Sequence, residues 1–543
     1  MSKSSKDMTA PPDLAQEHAT GPVRLSIPVY QNHLPPCNKA CPAGENIQAW
    51  LALSQAGKYK EAWQSLVKNN PFPAVSGRIC YHDCETACNR TEMDSAVNIH
   101  AVERFLGDKA LEEDWSFQRP INTSGKRIMV VGAGPCGLAA AYHLTLMGHR
   151  VEIFEAGPVA GGMMQFGIPA YRLPRSVLEA EVWRIERLGV DIHLNYPIAD
   201  LASEQSQGDF DAVLLATGAR LSNRVDIPGC DTQKIIHAIG YLNDVASHQP
   251  VKLGRRVAIY GGGNTAMDAA RTARRLGADE TMIIYRNDRE HMAAHDFEAE
   301  EALNEDIKIH WLRRIREVNA DEIKVEVMEI GADGIPVPTG EVELLEADTL
   351  IMAIGQNVDS AFLKSIADIR VLNDGSIEVD NQFMTGKAGI FAGGDMVPGE
   401  RSATHAFGHG KRAARCIDAW LRQQTYVSEN QSTVTTFADL RLAYRSDAPG
   451  KLQDEEPIAN RVNNFQEIVH SLTESEALFE SRRCFSCGNC FECDGCMAAC
   501  PQKVIDKVGV NCGYTINYSM CTGCAVCVEQ CPASAMEMTS EQS

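Results

Sequence analysis

Apolar and polar positions divide the chain into blocks of different period. Between residues 125 and 424, short apolar runs alternate with Gly-rich turns and helix-period segments, the pattern of open α/β domains. One strand–turn–helix–strand unit, "KRIMVVGAGPCGLAAAYHLTLMGHRVEIFEA", opens at residue 126. A second, "GRRVAIYGGGNTAMDAARTARRLGADETMIIYR", opens at residue 254. "DAVLLATGA" and "ADTLIMAIGQ" each run a strand into a turn, at Gly218 and Gly355. Residues 37–120 carry helical periods such as "NIQAWLALSQAGKYKEAWQSLVKNN", whereas residues 1–36 predict a flexible arm. The expectation is a multidomain chain with a helical domain at 37–120 and a Rossmann-like α/β domain at 125–250 plus 385–424. A second Rossmann-like domain at 251–384 interrupts the first, a linker at 425–475 drapes over other domains, and a small α+β domain ends at 536 after starting at 476.

The first unit turns through Gly132, Gly134, Pro135 and Gly137, and its second strand ends in Glu155 and Ala156. Glycines let the backbone approach a pyrophosphate, the helix N-terminus offers N–H groups, and the terminal acid can accept hydrogen bonds from a ribose diol. The second unit turns through Gly261, Gly263, Asn264, Thr265 and Ala266, with Asp268 on the helix, and ends at Tyr285 and Arg286 with no acid. A degenerate repeat kept for packing is the alternative, but "GGGN" has no packing use that stiffer residues could not serve. "GIFAGGDMVPGERSATHAF" places Gly394 and Asp395 after a strand and opens a helix near Ala403 and Thr404. There Asp395 would hold a flavin's ribityl and phosphate portion, and the helix N-terminus would face the ring's O2. Ala216 and Thr217 precede Gly218 in the corresponding earlier turn.

A net charge of −21 argues against nucleic acid and against an anionic membrane surface. No stretch approaches the ~18 apolar residues of a membrane span, and the polar N-terminus has no signal-peptide core, which points to the cytoplasm. Of 19 cysteines, five lie between Cys37 and Cys88 and eleven between Cys484 and Cys531, with only Cys136, Cys230 and Cys416 elsewhere. A secreted disulfide protein would spread them differently. The motif C-x2-C-x2-C-x3-C-P occurs twice, as Cys490, Cys493, Cys496, Cys500 and as Cys521, Cys524, Cys527, Cys531. Zinc ribbons also use C-x2-C pairs, but the third cysteine and the proline favour [4Fe–4S]. In two-cluster ferredoxins the fourth cysteine serves the other cluster, giving Cys490, Cys493, Cys496 with Cys531, and Cys521, Cys524, Cys527 with Cys500. Cys484, Cys487 and Cys512 are left over.

With these motifs in order, and with "GGMMQFGIPAYRLPR" at 161–175, the chain resembles the glutamate synthase small-subunit family. That family shares its architecture with the N-terminal half of dihydropyrimidine dehydrogenase. The resemblance implies FAD at the first unit, with Gly162, Ile168 and Arg172 beside it, and NAD(P)H at the second. Its NADPH-using members carry two adjacent arginines after the strand. "YRNDRE" keeps Arg286 but replaces the second with Asn287 and adds Asp288 and Glu290, so the expectation leans to NAD.

The family's helical domain holds two [4Fe–4S] clusters. One takes three cysteines plus Gln or Glu, matched by Cys41, Cys80, Cys84 and Glu103. The other takes a C-x2-C pair preceded by arginine and two more cysteines; Cys37 and Cys88 match, and the pair is missing from residues 1–36. "RRCFSC" has the form of that pair, so Cys484 and Cys487 are expected to return to the helical domain and complete it with Cys37 and Cys88. A linker of about 50 residues spans well over ~100 Å when extended and does not forbid this. The alternative leaves Cys484 and Cys487 spare, or in a zinc clip.

The function expected is an FAD-containing, iron–sulfur NAD(P)H:acceptor oxidoreductase in which no side chain need be catalytic. Cys136 reads as a packed residue, and His405 and His409 lack a metal partner. No organic-substrate motif is present, so the chemistry belongs to a partner. The ferredoxin-like tail favours the catalytic subunit of a 2-oxoacid oxidoreductase, or a ferredoxin, over glutamate synthase or a sulfite reductase. From another class, the chain could be a scaffold with vestigial sites.

Overall fold

The computed structural model describes residues 24–541 except 224, 226, 230–233, 320–321, 364–365, 367, 428–431 and 510–512. Cys230, Cys512 and residues 1–23 of the expected arm therefore lie outside the described residues. Two parallel five-stranded sheets carry the centre of the chain. The first runs Ile390–Ala392, Ala212–Leu215, Arg127–Val131, Arg150–Phe154, Asp191–His193 across its width. The second runs Lys308–His310, Glu280–Ile284, Arg256–Tyr260, Thr349–Met352, Ile235–His237. Their central strands are apolar throughout ("MVV", "VAIY") because both faces are covered, one by helices and the other by further packed segments. An antiparallel meander, Arg313–Val318, Glu322–Ile330 and Pro336–Glu346, packs on the second domain.

The crossing between the two domains differs from the expected cuts at 250 and 385. Strand Ile235–His237 pairs with Thr349–Met352 in the second sheet. Val358, Leu363, Ile369 and Ile377 are buried with Met129 and Val131 in the first domain's core. The crossing is the two-residue ladder Leu221–Ser222 against Gln356–Asn357. Secondary-structure period alone could not place it, since strands on either side of the cut look alike.

The helices Ile47–Gln55, Tyr59–Val67, Pro73–Ile79 and Ile99–Glu112 form the N-terminal domain around Trp50, Trp63, Leu66 and Leu106. Asn46 caps the first of them by accepting from Ala49 N–H. A fifth helix comes from the far end of the chain: Glu474–Arg483, started by a Thr473/Glu476 capping box, buries Ala477 in this core. Its Ser481 hydroxyl lies 2.8 Å from that of Ser54. Residues 474–487 thus pack with the helical domain and not with the ferredoxin-like tail.

The arm is the other correction. Residues Ser26–Tyr30 form a strand paired antiparallel with Met536–Ser540, joining the two ends of the described chain. Pro28 is tolerated because this is an edge strand. The expected draping of residues 425–475 appears as backbone bonds such as Thr435 N–H to Leu34 O, and as Glu467 bridging Arg78 and Arg104.

Candidate flavin, nucleotide and iron–sulfur sites

The first glycine loop is built for close approach. Gly132 has φ +106, and a Cβ there would stand 2.5 Å from Ala216 O; one on Gly137 would stand 2.0 Å from Gly132 O. Gly162 packs its turn against Gly134, and Gly218 opens onto free space. Glu155 accepts Ala133 N–H and Gly157 N–H at 2.8 and 2.7 Å, which fixes its carboxylate at the loop's edge beside exposed Ala156. Thr217 Oγ1 contacts Met396 Sδ, and Ile168 lies against the first core. Burial raises the Asp395 carboxyl above its usual range, partly offset by Arg401 and His405. Helix Ala403–Leu421 starts beside it, capped by Ser402. His409 Nδ1 is buried without a hydrogen-bond partner among the described residues. A glycine cradle, a half-buried acid and a helix N-terminus at the carboxyl ends of one sheet's strands fit FAD.

Arg172 is placed differently from its flavin-side expectation. Its guanidinium is spent on Asp268 (2.9 Å) and Glu298 (2.6 Å), both in the nucleotide domain. The pair joins one residue expected at each cofactor, so Asp268 also faces protein.

The second loop has the same form. Gly261 has φ +146 with Ala353 O 2.1 Å from a Cβ position, and Gly263 opens onto free space. Asn264 Oδ1 accepts His295 N–H, Thr265 and buried Ala266 continue the helix, and Gly355 sits against Asn223. Arg286 is exposed at the end of strand Glu280–Ile284 and makes no ion pair among the described residues. Asp288 accepts from His291 N–H at 3.0 Å and lies 2.7 Å from His291 Nδ1, so one of the two acids that argued for NAD is already engaged.

The cysteines gather into four sets. Cys37, Cys88, Cys484 and Cys487 line one pocket with Leu51, Ile99 and Phe485. "RRC" is drawn there by Arg483, which donates to Ala96 O, Ser95 O and Ala448 O and pairs with Asp94 and Glu480. Arg90 donates to Arg483 O at 2.7 Å and covers the Phe485 ring. Cys41, Cys80 and Cys84 meet next to Glu103. Cys500, Cys521, Cys524 and Cys527 line a second pocket. Cys490, Cys493, Cys496 and Cys531 form the last set.

None of the described cysteines forms a disulfide. Burial pushes the thiols of Cys37, Cys41 and Cys84 well above their usual range, and those of Cys484 and Cys487 up to about 11 and about 12. Soft sulphur donors, four in three of the sets and three with Glu103 in the other, suit a metal cluster that takes thiolates.

Glu45 is a neighbour that the sequence did not flag. It accepts from Trp50 Nε1 (3.1 Å) and Asn70 Nδ2 (2.9 Å) and is buried beside Glu103, which accepts from the same Asn70. Burial holds both carboxyls above their usual range. Lys411 Nζ reaches the same loop through Gly44 O at 2.7 Å. His82, Glu85 and His100 also bring donor atoms within 4.8 Å of one another. Both ring nitrogens of His100 are committed, to Glu85 and Gln453, so this group is a hydrogen-bonded stack.

The family described as pyridine nucleotide-disulphide oxidoreductase matches residues 126–410. Dihydropyrimidine dehydrogenase domain II, 4Fe-4S cluster, matches 29–115, and a 4Fe-4S binding domain matches 514–537. The glutamate synthase [NADPH] small chain of Azospirillum brasilense is 32% identical over 72% of this chain and 87% of its own length. The chain belongs to the glutamate synthase small-chain family of pyridine nucleotide-disulphide oxidoreductases. Other relatives within this family are NADP(+)-dependent formate dehydrogenase subunit beta of Moorella thermoacetica, 35% identical over 80% of this chain and 68% of its own length. NADPH-Fe(3+) oxidoreductase subunit beta of Geobacter sulfurreducens is 33% identical over 73% of this chain and 65% of its own. The chain therefore spans about two thirds of the length of these two relatives. As a family member it is an FAD- and NAD(P)-binding iron–sulfur oxidoreductase that transfers electrons. Among the described residues no helix is long and apolar enough to cross a membrane.

Proposed function

We propose that the chain is the NADPH-linked electron-transfer subunit of a larger cytoplasmic redox complex, with four [4Fe–4S] sites. The observation that carries this reading is the order in which the ligand sets touch. Thr404, at the flavin end of helix Ala403–Leu421, lies beside the sulphur of Cys80. That set (Cys41, Cys80, Cys84, Glu103) connects to the next by the one-turn helices Pro36–Ala40 and Asp83–Thr86, each with a cysteine of one set inside it and a cysteine of the other just after its end. Cys487 then leads through Gly488, bonded to Ala533 O, into Cys490 and the tail. When bound, FAD takes a hydride from the nicotinamide, and the clusters carry single electrons onward. The chain's residues hold, space and shield these groups.

NADPH is favoured over NADH by three features together. Arg286 stands exposed where a 2′-phosphate would lie, Asp288 is engaged by His291, and three relatives bear NADP(H) in their names. The partner is read as a catalytic subunit with its own organic or inorganic substrate, reached from the exposed tail cysteines. The relatives broaden this beyond a 2-oxoacid oxidoreductase. Clusters of cysteines outside any disulfide favour a reducing compartment.

Anaerobic titration of the purified chain with NADPH and with NADH tests the reading. Flavin and cluster absorbance should both bleach, at lower concentration with NADPH. A protein without flavin absorbance, or one that bleaches only with NADH, contradicts it.

A further inference from the structure

We propose that Tyr30 sets the reduction potential of the site held by Cys490, Cys493, Cys496 and Cys531, by donating its phenol O–H to the sulphur of Cys496. This rests on the ligand assignment above. Tyr30 Oη lies 3.2 Å from Cys496 Sγ, within hydrogen-bond range for sulphur. The two residues are 466 positions apart, so the contact exists only because the chain's first described strand returns to its last.

Several constraints fix the hydroxyl in place. Tyr30 is paired in register with Met536, and its ring stacks on Tyr514 with centroids 6.1 Å apart and 16° between planes. The same strand is pinned by Tyr518 O–H to Pro28 O at 3.0 Å, and next to it Arg24 pairs with Glu541. The Tyr514 hydroxyl is not a competing donor, because it gives its proton to Asp494 Oδ1.

The chemistry follows from where charge goes. One electron entering the cluster raises the negative charge on its sulphurs, and a hydrogen bond to a more negative acceptor is stronger. An O–H dipole aimed at a ligand sulphur therefore stabilises the reduced form more than the oxidised form and raises the potential. No proton moves in this step.

The two tail motifs have identical cysteine spacing, and each set receives backbone N–H bonds: Ala535 N–H to Cys531 Sγ and Gly523 N–H to Cys521 Sγ. The two sets differ in their side-chain neighbours: the Tyr30 hydroxyl meets Cys496, whereas the Arg24 guanidinium, bonded to Cys521 O at 2.8 Å, lies against the other set.

The test uses the full-length chain and Tyr30→Phe, which keeps the ring and its stack. An EPR-monitored redox titration should show one cluster potential shifted downward and the others unmoved, with iron and flavin contents unchanged. After exchange into D2O, the wild type should show an exchangeable deuteron coupled to that cluster, and Tyr30→Phe should lack it. Unmoved potentials overturn the proposal. So does loss of one cluster's iron in Tyr30→Phe, which would make the residue a structural support. Fewer than four clusters in the wild type would instead fail the ligand assignment, so the two failures are distinguishable.

Discussion

The helical domain and the ferredoxin-like tail each gather two ligand sets, but they place them in different surroundings. No cysteine of the helical sets is exposed, whereas Cys490, Cys493 and Cys524 of the tail are. The inner sets are also stitched by distant segments: Cys484 and Cys487 join Cys37 and Cys88 across about 400 residues of sequence. The cysteines of the tail sets all come from a repeat that spans 490–531, with Arg24–Tyr30 as the distant segment packed on them. Less exposed sites suit relays that must not leak electrons to oxygen, and exposed sites suit exchange with a partner. Position in the fold, more than ligand type, separates the roles.

The contrast can be broken most directly by attacking the iron. With a chelator and mild oxidant, half of the iron should leave in a fast phase, from the two tail sites, while the helical sites persist. Iron content and EPR signals followed over time check this; one rate for all four sites would erase the distinction.

A smaller effect sharpens the relay reading. Arg286→Ala should raise the NADPH concentration for half-maximal reduction about tenfold, the loss of one charge-assisted contact of ~1.5 kcal/mol, with little change for NADH. Stopped-flow reduction should show every site slowed alike at low NADPH, since all would be fed through one flavin. A tail site that escapes the slowing would argue for a separate entry point.

The smallest effect concerns the seam between linker and nucleotide domain. Glu305 is fully buried against Arg271 and Arg275, with Arg461 of the linker at 3.9 Å. Burial raises its pKa, but the hydrogen bonds from Arg275 and Arg271 outweigh this and hold it at about 2. A folded pKa below the unfolded one stabilises the protein above about 4.5, and that stability is lost as pH falls through about 2. Glu305→Gln should therefore lower the melting temperature by a few degrees at neutral pH, with the gap closing between those values. Differential scanning fluorimetry of the pair checks it, and the inner cluster spectra should not change.

Much of this was legible in the sequence because it is local. Gly132, Gly137 and Gly261 declare themselves since no side chain fits where they approach the backbone, and the tail cysteines because their spacing repeats. The pair Cys484–Cys487 became interpretable only by counting which cysteines a known pattern leaves over. What stayed hidden depends on contacts between distant segments. Arg172 was expected near flavin, but its partners Asp268 and Glu298 lie about 100 residues on, where no period announces them. Glu45 and Tyr30 sit in polar-looking stretches, and the pairing of Ser26–Tyr30 depends on a strand at the other end of the chain. The domain crossing at 221–222 and 356–357 likewise depends on a pairing between segments about 135 residues apart.

The central claim is that the tail lends two cysteines to a site in the helical domain. Iron content and EPR spin counts of Cys37→Ser, Cys484→Ser and the double variant test it. Each single change should remove one and the same cluster, and the double change should remove no more than either alone. Loss of two clusters in the double variant, or full iron in Cys484→Ser, would contradict the account.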